Sequence, residues 1–207
     1  MYQPFNRINE MSENTANSTR VVVRNVRFSY VHVFEKDDFN NKYSVSLLFS
    51  KNDREMVEEI KGAIKAAVVQ GAGKLGPNFK LDAKTIVHDG DIEKAGDEAY
   101  AGMYYLNAKS DRKPGIVKKN TTGMGGKTTD ITDPEEFYSG CYGHASVTFF
   151  AFNTGVNKGI GVALNNLLKI RDGEPLGSSQ SAEDELGAYV DADGDLPGGN
   201  AEDDMAF

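Results

Sequence analysis

One cysteine, Cys141, stands in a chain of 207 residues, so no disulfide can form within it. That cysteine and three histidines (His32, His88 and His144) make a poor zinc inventory, since a structural site takes four ligands and would need every one of them. Apolar runs fall far short of the roughly 18 residues a membrane span needs. The first 19 residues, MYQPFNRINEMSENTANST, lack the apolar centre of a signal peptide. These absences point to a soluble intracellular protein with no membrane partner.

Positive charge is missing from one end. From Asp172 to Phe207 there are eleven acidic residues and no Lys or Arg. The chain as a whole carries −8, so residues 1–171 carry +3. A slightly basic body with an acidic tail suggests nucleic-acid binding by the body, an interaction role for the tail, or both. The tail is also poor in apolar side chains, and residues 173–207 are expected to stay disordered. The same holds for the polar segment 1–19.

Two motifs that would signal other chemistry are incomplete. TTGMGGKT ends like a phosphate-binding loop at Gly126, Lys127 and Thr128, but Thr121 stands where that loop needs its first glycine. DADGDLPGGNAE spaces Asp191, Asp193, Asp195 and Glu202 like a calcium loop, yet Leu196 occupies the turn position that demands glycine. Asp89, Asp91 and Glu93 form the body's compact carboxylate set, the minimum for a metal-dependent nuclease. They fall in a loop rather than at strand ends. No catalytic residue, metal or cofactor is expected.

What remains is rich in strands. TRVVVRNVRFSYVHVF at 19–34 is dense in Val, Phe and Tyr and reads as a long strand, bent along its length. KYSVSLLFS alternates cleanly and pairs with it as a hairpin. In NDREMVEEIKGAIKAAVVQG, Met56, Val57, Ile60, Ile64, Ala67 and Val68 recur at helical spacing. Asn52 is the expected cap, with Glu55 as its capping-box partner. Gly71 stops the helix. A short strand is expected near TIVH, a good one at about 102–110, and KPGIVKK as its continuation after a turn. KNTTGMGGKTTDITDP reads as a flexible loop, and 138–153 and 160–171 as the last two strands. Five or six short strands and one helix, about 53–70, fit a five-stranded barrel of the OB-fold kind over residues 20–172.

In YSGCYGHASVTFFAFN one parity, Gly143, Ala145, Val147, Phe149 and Ala151, is small and apolar and reads as core. The other, Tyr142, His144, Ser146, Thr148, Phe150 and Phe152, mixes polar groups with aromatics. In the 102–110 strand Tyr104, Leu106 and Ala108 read as buried, and Tyr105 and Lys109 as outward. Arg112 and Lys113 follow Lys109 in a basic run that continues to Lys118 and Lys119. Aromatic faces stack on any base and cations meet phosphates, so this mixture suits single-stranded nucleic acid. The candidate contacts are Tyr105, Lys109, Arg112, Lys113, Tyr142, Phe150 and Phe152, with Arg24 and Arg27 from the first strand. From patterning alone, an acidic DNA mimic or another non-catalytic interaction protein stays open.

Five stretches add to this: VRFSYVHVFE, KYSVSLLFSKND, YYLNAKSDRKPGIV, YSGCYGHASVTFFAFN and NKGIGVALNNLLKIRDGEPLG. In order and spacing they resemble a family of bacteriophage single-stranded-DNA-binding proteins. The resemblance implies an OB-fold that binds single-stranded DNA without sequence preference, in phage replication, recombination or repair, in the host cell cytoplasm. It implies no catalysis, and it leaves a homodimer open. The loop 119–133 departs from the pattern. The ending AEDDMAF is similar to the tip of bacterial single-strand-binding proteins, in which acids precede an apolar pair ending in Phe. Asp203, Asp204, Met205 and Phe207 match that tip, and Ala206 departs from it. The implied role is recruitment of replication or recombination proteins and modulation of DNA binding.

Overall fold

Alternation along Tyr142–Asn153 is the clearest link between sequence and architecture: each second residue from Gly143 to Ala151 is buried. In a computed structural model, described over residues 18–38, 40–121 and 126–177, that strand is the seventh of eight. The elements run β1 (Arg20–Asp37), β2 (Lys42–Ser50), α1 (Arg54–Gln70), α2 (Ala72–Leu75), β3 (His88–Asp89), α3 (Gly90–Glu93), β4 (Met103–Ser110), β5 (Gly115–Lys119), β6 (Thr128–Asp130), β7 (Tyr142–Asn153) and β8 (Lys158–Arg171). Two 3-10 turns, Ala83–Thr85 and Glu98–Tyr100, flank β3 and α3. The tail residues from 178 onward, including Asp203, Asp204, Met205 and Phe207, lie outside the described residues, as do 1–17 and the loop positions 122–125.

Five strands close a barrel. β1 pairs with β2, β2 with β4, β7 with β1 and β8 with β7, all antiparallel. The ring shuts where β4 meets β8 in parallel, with Lys109 opposite Ala163. β1 is long because it serves two neighbours, with Arg20–Arg27 on β7 and Arg27–Asp37 on β2. Register shifts fall between Val23 and Val26 and between Ser29 and His32. Asn25 (φ +53°) and Tyr30 (φ +48°) sit at these two irregularities. Such bulges bend a strand and increase its twist, which lets one strand join two walls of a barrel.

The interior is filled by alternate residues from every wall, among them Val23, Val26, Phe28, Leu47, Leu106, Val147, Phe149 and Leu167. α1 covers β7 and β1 with Met56, Ile60, Ala63, Ile64 and Ala67. Each large aliphatic or aromatic side chain so buried contributes about 1.5–3 kcal/mol. The cap of α1 is Asp53 rather than the expected Asn52: its carboxylate accepts from the Met56 amide at 3.0 Å.

Other expectations also shift. β5 does not continue β4. It pairs in parallel with β8, Gly115 opposite Asn166. Part of the expected loop after it is β6, antiparallel to β5. Residues 173–176, placed in the tail by composition, are held as a strap on the barrel. The Leu176 amide donates to the Ser139 carbonyl at 2.7 Å, and the Arg27 guanidinium to the Glu174 carbonyl at 2.8 Å. Gly140 makes the strap's close approach possible. Its φ is +121°, and a Cβ there would sit 2.1 Å from the Glu174 oxygen.

Candidate nucleic-acid interface

The hairpin β7–β8 sets Phe150 opposite Gly161 and Phe152 opposite Gly159. Opposed residues share a face, and glycine leaves the cross-strand space empty, so each ring lies down over the neighbouring backbone. The fit is close. A Cβ on Gly161 would fall 2.7 Å from Phe150 Cζ, and one on Gly159 3.3 Å from the Phe152 ring. One face of each ring is thus supported by β8, and Phe150 remains 44% exposed. A flat, supported, wet ring is what a stacking base requires.

These rings border a groove of about 610 Å³ over the β4–β8 seam. Lys109 and Asn107 of β4, Arg112 after it and Lys42 at the start of β2 line the same groove. Lys42 also pairs with Asp111 at 3.3 Å. Four candidates from the sequence, Lys109, Arg112, Phe150 and Phe152, are therefore brought together. Lys42 was missed, because nothing in a lone lysine at a strand start marks it. The two glycines carried a readable signal: FAF before the turn and GIG after it place Phe opposite Gly across a short hairpin.

The remaining candidates lie elsewhere. Arg24 faces α1, and its two guanidinium nitrogens donate to both oxygens of Glu59 at 3.1 and 2.9 Å. That bond holds its pKa above the usual value. Arg27 is engaged by the strap and lies 5.5 Å from the Tyr142 ring centre. Tyr142 also carries the Arg171 guanidinium 3.6 Å from its ring centre. It starts β7, roughly 27 Å along the strand from Phe150 by strand rise. Lys113 turns its ammonium to the Phe34 ring, 5.4 Å away.

Tyr105 departs from its expected outward exposure: it is 6% exposed. The sheet face it occupies is covered by residues 83–101. His88 stacks on its ring with centroids 4.8 Å apart, and Tyr100 meets it edge-on at 5.2 Å. Its hydroxyl donates to Glu93 at 3.2 Å, and burial followed by Glu93 pushes its pKa up to about 12. Tyr104, expected in the core, is only partly buried and lies 5.0 Å from the Lys51 ammonium.

A second depression, about 320 Å³, lies beside the first and shares Asn107 and Lys109 with it. Tyr30, His32, Ser44, Ser46 and Lys94 line it, with Tyr100 and Tyr105 at its floor. The two make one trough across β1, β2, β4, β8 and β7. A third concavity, about 500 Å³, between α1 and residues 81–93, is walled mainly by Val57, Ile60, Ile64, Leu81, Val87 and Ile92. Two rings, Phe49 and Tyr104, also line it, but Phe49 is buried in the core and Tyr104 lies 5.0 Å from the Lys51 ammonium.

The carboxylates that a nuclease would need are otherwise engaged. Asp89 and Asp91 both hold the Lys51 ammonium, and Glu93 holds His88 and Tyr105. Cys141 is fully buried, with its thiol pushed up by burial. The ring of His144 accepts from the Asn25 amide through Nδ1.

Residues 19–197 match the family described as Enterobacter phage Enc34, ssDNA-binding protein. The chain belongs to that family. Among solved structures, the Enc34 protein in complex with ssDNA superposes with a TM-score of 0.64 at 21% identity, covering 77% of this chain and 90% of that one. The C-terminally truncated Enc34 protein gives 0.63 at 21%, covering 76% and 89%. The p50 protein of Acyrthosiphon pisum secondary endosymbiont phage 1 is 27% identical over 165 residues, 75% of this chain and 85% of that protein. The structural likenesses establish the shared barrel. In this member of the Enc34 family the trough lies on the outer face of that barrel, bordered by the Phe150–Phe152 shelf.

Proposed function

We propose that this chain binds single-stranded DNA along the trough, without sequence preference, in phage DNA replication and recombination in the host cytoplasm, with no catalytic step of its own. The observation that carries the reading is the pair of rings laid over Gly161 and Gly159 beside Lys109, Arg112 and Lys42. Phe150 and Phe152 stack bases; the three cations meet phosphates. No base-edge reader is needed, since each base offers a ring face. Membership of the Enc34 family and the complex of the Enc34 protein with ssDNA support the ligand class.

With no tryptophan in the chain, emission comes from nine tyrosines. Titration with oligo-dT at low salt is expected to quench it, with affinity falling as salt rises. Absence of binding by the full chain and by a chain ending at residue 177 would overturn the reading. The tail residues Asp203, Asp204, Met205 and Phe207 we assign to recruitment of a phage or host replication protein. Removing 178–207 also removes nine acids, so DNA affinity should rise at low salt. Deleting 201–207 should abolish partner capture while leaving DNA binding intact or stronger.

A further inference from the structure

We infer that Tyr30 and Lys94 form a second base-binding subsite at the far end of the trough, separate from the Phe150–Phe152 shelf. The inference rests on the proposed DNA-binding reading and extends it across the barrel. Tyr30 is held at φ +48°, a left-handed conformation that a bulky side chain rarely adopts. The position lies in the bulge of β1, where Ser29 pairs with Ser46 and His32 with Ser44, leaving one extra residue on β1. A bulge re-aims side chains. Here it turns a tyrosine outward, 54% exposed, while the neighbouring Ser29 is buried against the Tyr100 hydroxyl at 3.0 Å. Glycine would occupy this conformation without strain. A strained residue that also exposes a large ring contributes little to the fold, and such strain gathers at ligand sites.

Lys94 supplies the cation. It follows α3, and its ammonium sits 5.1 Å from the Tyr30 ring centre and 5.9 Å from that of Tyr100, while donating to the Tyr30 hydroxyl at 3.4 Å. It therefore sits beyond the hydroxyl end of the ring in the free protein and leaves the ring faces to solvent and ligand. A base stacking on Tyr30 brings its phosphate beside this ammonium, which meets it at the edge of the ring. The path from here to Phe150 crosses β2 and β4 by way of Asn107 and Lys109, the two residues shared by both depressions. Strand spacing makes that path about 19 Å, four strand intervals. One strand of DNA then lies across the strands, with ring platforms at both ends and Lys109 between them.

Oligo-dT titrations of the full chain test this, with affinity, salt slope and thermal midpoint read for each variant. Tyr30→Ala is expected to bind about 5- to 150-fold more weakly, the loss of one stack. Tyr30→Phe should keep the affinity and lose part of the quenching. Tyr30→Gly should bind as weakly as Tyr30→Ala yet melt no lower than wild type, because the strain is gone. Lys94→Gln should flatten the slope of log K against log salt by about 0.7. Wild-type affinity in both Tyr30→Ala and Tyr30→Gly would overturn the subsite and leave the Phe150 shelf standing. Failure of the wild type itself to bind would instead overturn the DNA-binding reading.

Discussion

Replacing Gly161 by Ala tests the Phe150 shelf without touching an aromatic or a charge. The new methyl would lie 2.7 Å from Phe150 Cζ and 3.0 Å from Cε1. Carbon atoms rest about 3.5–4.0 Å apart, so the ring must lift by ~1 Å at its tip. The outer end of a side chain can give that much, so the barrel survives. Glycine within a strand costs about 0.5–1 kcal/mol relative to alanine, so the variant should melt at the wild-type temperature or slightly above it. DNA binding should move the other way. Tilting the shelf forfeits part of a stack worth about 1–3 kcal/mol, up to ~150-fold in affinity. Fluorescence anisotropy with labelled oligo-dT measures the loss, and a double-mutant cycle locates it. If Gly161→Ala acts through the ring, it should have no effect in a Phe150→Ala background. An equal loss in both backgrounds would refute the supported-ring argument, and unchanged affinity in the single variant would refute the stacking role of Phe150.

Lys109→Ala should reduce the salt slope of DNA binding by about 0.7 while leaving the melting temperature near wild type, as measured by titration from low to high salt. Arg24→Met should leave DNA affinity unchanged and lower unfolding stability by up to about 1 kcal/mol in urea, since its half-exposed pair with Glu59 faces α1. The Asp91 carboxyl is held below its usual range by Lys51 and then the Gly102 amide, and that of Asp172 by Lys169 and then Tyr138. Groups depressed in the folded state add stability above their unfolded pKa of about 4 and lose it as pH falls through the folded value. Urea midpoints should therefore hold from pH 7 to 5 and drop below about 4, less steeply in Lys51→Met. Cys141 should resist a thiol reagent until urea unfolds the barrel, because it is buried and its thiol pushed up.

Strands and helix were legible because their signals are local. The period of two along β7 fixed both its faces, and the apolar stripe of α1 fixed its buried side. What sequence reading missed is carried by partners distant along the chain. An arginine on the outer face of β1 reads alike whether it meets a phosphate or a helix, and Glu59, 35 positions on, decided for the helix. Tyr105 reads as outward by alternation, and it is outward with respect to the barrel. What covers it is a Gly- and Asp-rich segment whose few anchors, His88 and Tyr100 among them, show no periodicity. The strap is of the same kind. Its composition is that of a solvated tail, and its place is set by backbone hydrogen bonds to Ser139 and Arg27 that no composition records.

The single ladder pair joining β4 to β8 has a bearing on how the barrel moves. Every other joint of the ring is fastened along many residues; this one is a cask with one hoop missing along a stave. Amide exchange should be fastest there, and outward breathing should widen this seam first. The trough runs across that line, with Lys109 on one lip and Phe150 on the far side of β8. A strand of DNA laid over it would act as a suture, tying the two lips by contacts the protein does not make for itself. Occupancy would then register as slowed exchange along β4 and β8, far beyond the residues DNA touches, and the loaded barrel would be the stiffer one.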